Sequence, residues 1–270
     1  MSIELGILGA GNMAEAIAGG VIRAGVLQAD RILASDVSAQ RQEAFTKATG
    51  VRTTGDNREV ARDASMLLLS VKPQHMAALL AGIADVVRPE ALIVSIAAGI
   101  GSQFIENNLG GRAKWRVVRT MPNTPMLIGE GMVAMSRGRN ASEDDLASAR
   151  KLFEASADCI TVDESQLDAV TAVSGSGPAY VFYLVEQMIT AAQELGLSDE
   201  HARKLAVKTA LGAARMLASS AETPQELRRR VTSPGGTTQA AITRMEAGQW
   251  GAVTVEAIKA AAERGRELGS

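Results

Sequence analysis

The residues best placed to do chemistry in this chain are glycines and hydroxyls gathered in loops, beginning with Gly9-Ala10-Gly11-Asn12-Met13-Ala14. That string directly follows an apolar run at 3–8 and opens a periodic segment reaching about Ala24, with Gly25 as its stop. In a strand–turn–helix setting, Gly9 allows the tight turn, Gly11 lets the main chain approach a pyrophosphate, and Ala14 keeps helix and strand close. The helix N-terminus then faces the phosphates. Asp36 ends the next predicted strand, where a carboxylate holds adenosine ribose hydroxyls and repels a 2′-phosphate. Ser35 and Arg41 argue the other way, since a hydroxyl and a guanidinium can both receive that phosphate; Arg41 reads equally well as a solvated helix residue. The expected cofactor is therefore NADH or NADPH, with the choice open.

Two further loops, Ser174-Gly175-Ser176-Gly177-Pro178-Ala179-Tyr180 and Ser233-Pro234-Gly235-Gly236-Thr237-Thr238, each lead into a predicted helix. Hydroxyls and flexible backbone at a helix N-terminus hold a carboxylate or phosphate without a cationic side chain. One such loop reads as an ordinary turn between helices. Two of them attached to a dinucleotide fold point to a substrate site. Val71-Lys72-Pro73-Gln74 and Met121-Pro122-Asn123-Thr124-Pro125 follow predicted strands, which places them at the carboxyl edge of the sheet beside a nicotinamide. Lys72 is read as a cofactor contact in preference to a catalytic acid or a surface lysine.

The remaining inventory is sparse. The 270 residues include two His, one Cys and 3% aromatics. His75 and His201 lie far apart, each near a predicted helix start, and form no metal-ligand spacing, so each is read as an exposed or partly packed helix residue. No Gly-x-Ser-x-Gly elbow and no P-loop lysine occur, which leaves a hydrolase or a nucleotide triphosphatase without support. With 28 Lys+Arg against 30 Asp+Glu, nothing electrostatic calls for nucleic acid or an anionic membrane. Cys159 has no partner in the chain, and no apolar run reaches membrane-helix length. Glu4 and Glu15 interrupt the apolar start, unlike a secretory signal. A cytoplasmic protein is expected, whose chemistry comes from something it binds.

Positioning these loops requires alternating strands and helices. Short apolar runs at 3–8, 31–35, 51–53, 66–71, 92–96, 117–119, 132–135 and 160–162 read as strands of a mostly parallel sheet, with helices between. Beyond residue 162 the pattern turns helical. Asp163 with Gln166, Ser198 before Asp199-Glu200, and Thr223-Pro224-Gln225-Glu226 are helix starts, while Gly196 is a stop; Ser142 opens an earlier helix before acidic residues. The expected fold is α/β: a Rossmann-like dinucleotide-binding domain at 1–162 and an all-helical dimerisation and substrate-binding domain at 163–270. Segments such as Leu205-Ala206-Val207 and 210–214 are small and apolar around much of the helix, more than one bundle face needs, which points to a homodimer.

Taken together, the segments 6–14, 71–73, 121–125, 174–180 and 233–238 resemble pyrroline-5-carboxylate reductase, and the similarity runs from Gly6 to Thr238. The last two segments are specific to that family; the first is shared by many dehydrogenases. The resemblance implies reduction of a cyclic imine, 1-pyrroline-5-carboxylate, to L-proline, and a helical C-terminal dimer commonly assembled into a decamer. By matching position, Ser233, Gly235, Gly236 and Thr237, with Ser176, hold the substrate, and Thr238 bonds the ring nitrogen. Asn57 matches a cofactor-contacting position near the adenosine, and Ser70, Lys72 and Asn123 match residues lining the cofactor cleft; Gly9, Gly11, Asn12, Met13, Ser35, Asp36 and Pro73 are expected to bind the cofactor with them. Members often favour NADPH and carry a small polar residue where Asp36 stands, so this chain departs from the pattern there. A β-hydroxyacid dehydrogenase of the phosphogluconate type is the rival enzyme, but it uses a helix lysine that 179–195 lacks. A cofactor-binding scaffold without activity is the rival of another class.

Overall fold

The computed structural model describes residues 3–268. The chain divides into two compact units, one formed by residues 1–176 and 261–270, the other by residues 177–260.

The first unit is built on one eight-stranded sheet: β1 (Ile3–Leu8), β2 (Ile32–Ser35), β3 (Arg52–Thr54), β4 (Ala64–Leu69), β5 (Leu92–Ser95), β6 (Arg116–Met121), β7 (Gly131–Arg137) and β8 (Ala157–Thr161). Their order is β3-β2-β1-β4-β5-β6-β7-β8. All eight expected strands are present, with ends shifted by a few residues. The first six are parallel, β7 runs antiparallel to β6, and β8 runs parallel to β7. The chain steps outward from β1 to β2 and β3, then returns past β1 to β4. That reversal opens a crevice at the carboxyl ends of β1 and β4, where open α/β sheets bind ligands.

Helices α1 (Asn12–Arg23), α2 (Ala39–Thr49), α3 (Asn57–Asp63), α4 (Met76–Ile83), α5 (Ser102–Leu109) and α6 (Glu143–Arg150) connect the strands, and α7 (Leu167–Val170) follows the last. Side chains alternate between two apolar clusters with the period of a strand: Leu68 belongs to one and its neighbours Leu67 and Leu69 to the other. The first cluster gathers Ile7, Ile17, Phe45 and Phe153, the second Leu33, Leu80 and Trp115. Each such residue contributes roughly 1.5–3 kcal/mol on burial, enough to fix the sheet and hence the ends of its strands. Ser142 and Asp145 form a reciprocal cap at the start of α6.

After α7 the chain does not open into a loop. Residues Thr171–Gly175 form a π-helical turn, closed by the Ser176 N–H donating to the Thr171 carbonyl at 2.8 Å. Glycines at 175 and 177 leave the backbone free to widen, and such turns recur at functional sites.

The second unit contains α8 (Gly177–Glu194), α9 (Asp199–Ser219), α10 (Pro224–Arg230) and α11 (Thr237–Ala247), with the first turns of α12 (Trp250–Leu268). Gly196, with φ +90°, stops the chain after α8; Ser198 caps α9, and Thr223 and Glu226 cap α10 reciprocally. Packing is thin: among the described residues of this unit only Ala202 and Ala206 are buried. Phe182 is 68% and Tyr183 65% exposed, and Leu205, Leu211, Met216 and Val253 are exposed with them. Uncovered apolar surface on this scale marks an interaction face.

Candidate functional site

The Gly9 turn is shaped by contacts from distant parts of the first unit. Gly9 has φ +100°, and a Cβ there would lie 3.0 Å from the Ser70 and Val71 main chain, so both conformation and space call for glycine. Its N–H donates to the Ser35 carbonyl at 2.9 Å. The Ser70 hydroxyl bonds the Gly9 carbonyl at 2.5 Å and lies 3.1 Å from that of Leu8. Gly11 precedes α1 in an extended conformation, and a Cβ there would meet nothing within 4 Å. Open space over that main chain, at the start of a helix whose first N–H groups have no carbonyl a turn earlier, is a cradle for an anionic group. Asn12 is exposed, whereas Met13 packs against the core.

A cleft of about 540 Å³ brings together Gly9, Gly11, Asp36, Asn57, Ser70 and Lys72. Val37, Val71, His75, Ala78 and Leu79 complete its lining. His75 is exposed at the start of α4, as expected, and the cleft includes it as well; its place directly after Val71-Lys72-Pro73-Gln74 is the signal for that. Pro73 begins the short 3-10 turn that carries His75. Asp36 accepts the Ala10 N–H on Oδ2 (3.0 Å) and the Ser38 N–H on Oδ1 (2.9 Å). Ser35 lies beneath, fully buried, its hydroxyl donating to Asn57 Oδ1 at 2.7 Å. Arg41 donates from Nε and Nη2 to the Ala10 carbonyl (3.0 and 2.6 Å) and reaches Glu15 at 3.3 Å.

Asn123 is almost buried and its carboxamide is used at both ends: Oδ1 accepts the Met132 N–H at 2.9 Å, and Nδ2 donates to the Ser174 carbonyl at 3.1 Å. It therefore ties the loop after β6 to both β7 and the π turn that precedes Ser176. Glu164 makes a second tie that the sequence did not suggest. Its carboxylate accepts from the Ser102 N–H and hydroxyl, both at 2.7 Å, and from Arg119 at 3.0 Å. Burial pushes the Glu164 carboxyl up, but these bonds outweigh it and hold the group below its ordinary value.

In the second unit, Ser233, Gly235, Gly236, Thr237 and Thr238 form one exposed to half-exposed turn entering α11. Gly235 has φ +72°, its N–H donating to Gln239 Oε1, and the Gly236 N–H donates to the Ser233 carbonyl at 3.0 Å. A Cβ on Gly236 would come within 2.6 Å of the Ser233 hydroxyl. The first-turn N–H groups of Thr237 and Thr238 have no carbonyl a turn earlier and are available to a carboxylate.

Comparison with known proteins extends over the whole chain. The family described as pyrroline-5-carboxylate reductase dimerisation matches residues 164–268, and that described as NADP oxidoreductase, coenzyme F420-dependent, matches residues 4–99. A pyrroline-5-carboxylate reductase of Pseudomonas aeruginosa is 44% identical over 266 residues, covering 98% of this chain and 96% of that protein. One of Synechocystis is 39% identical over 270 residues, covering 100% and 99%. The solved structure of the Coxiella burnetii enzyme of that name superposes with a TM-score of 0.87 at 35% identity, covering 100% of both chains. That of the Plasmodium falciparum pyrroline carboxylate reductase with NADP bound gives 0.90 at 29% identity, covering 99% and 98%.

Proposed function

The chain belongs to the pyrroline-5-carboxylate reductase family, and from that premise we propose how its own residues divide the work. It is an oxidoreductase that reduces 1-pyrroline-5-carboxylate to L-proline, the last step of proline biosynthesis, using NADH or NADPH.

The observation that carries the assignments is the cleft over Gly9 and Gly11, whose open main chain and helix N-terminus fit a pyrophosphate. Gly9, Gly11, Asn12 and Met13 hold the phosphates, Asp36 and Asn57 the adenosine side, and Ser70, Lys72 and Pro73 the wall formed after β4. Ser35 acts from beneath the cleft through its bond to Asn57, and Asn123 by fixing the loop after β6. The bound nicotinamide supplies the hydride for the imine carbon.

A cyclic imine is basic and is electrophilic when protonated, so its reduction asks the protein for placement more than for a strong acid. Ser233, Gly235, Gly236 and Thr237 hold the substrate carboxylate through hydroxyls and backbone N–H groups, and Ser176 adds a hydroxyl. The Thr238 hydroxyl orients the ring nitrogen and relays a proton to it from water. The scarcity of His and Cys agrees with such a reaction.

The functional division falls near residue 162, giving a dinucleotide-binding domain at 1–162 and a dimerisation and substrate domain at 163–270. The family match beginning at residue 164 supports it; the compact units divide later, at Ser176, because α7 packs on β6 and β7. The uncovered faces of α8 and α9 support a homodimer, and dimers assembled into a decamer belong to the same proposal. A mass of one chain in solution, independent of concentration, would contradict it. The location is cytoplasmic, in keeping with a single cysteine; no described helix is long and apolar enough to cross a membrane.

Nicotinamide absorbance followed with purified protein and 1-pyrroline-5-carboxylate tests the whole reading. Oxidation of NADH or NADPH is expected, and none with either would sink it.

A further inference from the structure

We infer that this protein selects NADH over NADPH and that Asp36 is the residue that makes the selection. The inference rests on the cleft being the dinucleotide site, and it turns on what stands at the end of β2.

Asp36 lines the cleft and cannot easily turn out of it. Its two carboxylate oxygens accept the N–H groups of Ala10 and Ser38, its own N–H donates to the Thr54 carbonyl at 3.2 Å, and its carbonyl accepts from Gln42 at 2.7 Å. A carboxylate has about four acceptor positions, and two remain. These suit the two vicinal hydroxyls of an unmodified ribose, which are donors. A 2′-phosphate has only acceptors and about two negative charges, so at the same place it meets a fixed charge of its own sign and no hydrogen.

The groups that could offset this repulsion are engaged elsewhere or stand away from the end of β2. Arg41 spends its Nε and Nη2 on the Ala10 carbonyl and Glu15 and does not line the cleft. To receive a phosphate through Nε or Nη2 it would have to abandon the carbonyl of the same residue whose N–H holds Asp36. The Ser35 hydroxyl is buried against Asn57. Lys72 and His75 do line the cleft, but they follow β4, which lies two strands from β2 across β1, on the order of 10 Å away. The turn and its selectivity are thus one construction: the Ala10 N–H donates to a carboxylate and the Ala10 carbonyl accepts from a guanidinium.

Titration calorimetry of the intact protein with NADH and with NADPH reads this directly, without turnover. NADH is expected to bind at least about tenfold tighter, the effect of one like-charge contact in a partly solvated site. The same ratio is expected between 5′-AMP and 2′,5′-ADP, which isolate the adenosine end. In Asp36→Ser the ratio is expected to fall below about threefold or to reverse, with NADH binding retained as evidence of folding. Arg41→Ala is expected to weaken both dinucleotides by the same factor. Equal affinities in the unaltered protein, or tighter NADPH, would overturn the inference while leaving the cleft as the dinucleotide site. A loss confined to NADPH in Arg41→Ala would overturn it too, because Arg41 would then be serving the phosphate. No binding of either dinucleotide would overturn the cleft assignment and the inference together.

Discussion

The turns around Gly9 and around Gly236 look alike on paper, each ending in a helix N-terminus, yet they are held in opposite ways. The Gly9 turn is fixed by residues remote in sequence: Ser35, Asp36, Arg41 and Ser70 all bond its main chain. The Gly236 turn is held by Ser233 and Gln239, its immediate neighbours, and lies exposed or half-exposed. The same contrast divides the two units, one with a closed double core and one with two buried alanines. One chain can preorganise the first turn unaided. The second depends on local geometry alone.

The largest effect expected is on turnover. Thr238→Ala should lower kcat by about 10²-fold, the scale of a lost proton-transfer partner, while thermal stability and dinucleotide affinity stay unchanged. Steady-state kinetics beside a melting curve would show it, and wild-type kcat and KM would remove Thr238 from the mechanism. A paired substitution then tests the contrast itself. Gly9→Ala places a Cβ against rigid backbone at positive φ and should cost about 1–3 kcal/mol of stability together with dinucleotide affinity. Gly236→Ala has an ordinary φ of −82° but meets the rotatable Ser233 hydroxyl and, at 3.1 Å, the Ser233 carbonyl, so it should cost less than Gly9→Ala, about 1 kcal/mol, yet raise KM for the imine. Equal losses in denaturant midpoint would break the comparison.

The smallest effect concerns Glu164. Because its folded pKa is depressed, the stability it contributes is present above the unfolded carboxylate range, near 4.3–4.5, and fades as pH falls through the folded value. For a half-buried, partly solvated group that is worth about 1 kcal/mol at neutral pH. Glu164→Gln should therefore lower the melting temperature near pH 7 and lose its difference from wild type under strong acid. A difference that grew as pH fell would refute the assignment.

Much of the fold was legible because its signals are local. Strands announce themselves in short apolar runs, and the reciprocal caps at Ser142 and Thr223 need only residues three apart. The glycine turn at 9–14 was legible for the same reason. What stayed hidden depends on partners far along the chain. Whether Arg41 faces a phosphate or the Ala10 carbonyl, and whether Ser35 is open or covered, is decided by packing that no spacing encodes. The π turn at Thr171–Gly175 looked like a loop because Ser174 and Gly175, continuing into Ser176-Gly177-Pro178, carry turn chemistry, while the contact that anchors it, Asn123 to Ser174, spans 51 residues.

The staples of the Gly9 turn also have a meaning in time. They join positions 26, 31 and 61 residues apart, and closing loops of that length costs entropy before any contact repays it. During synthesis the glycines of the turn precede Ser70, but they lack their shape until Ser70 has been made and β4 has settled beside β1. Ligand affinity is therefore a property of the finished sheet, and a dinucleotide that binds only there draws the folding equilibrium toward it.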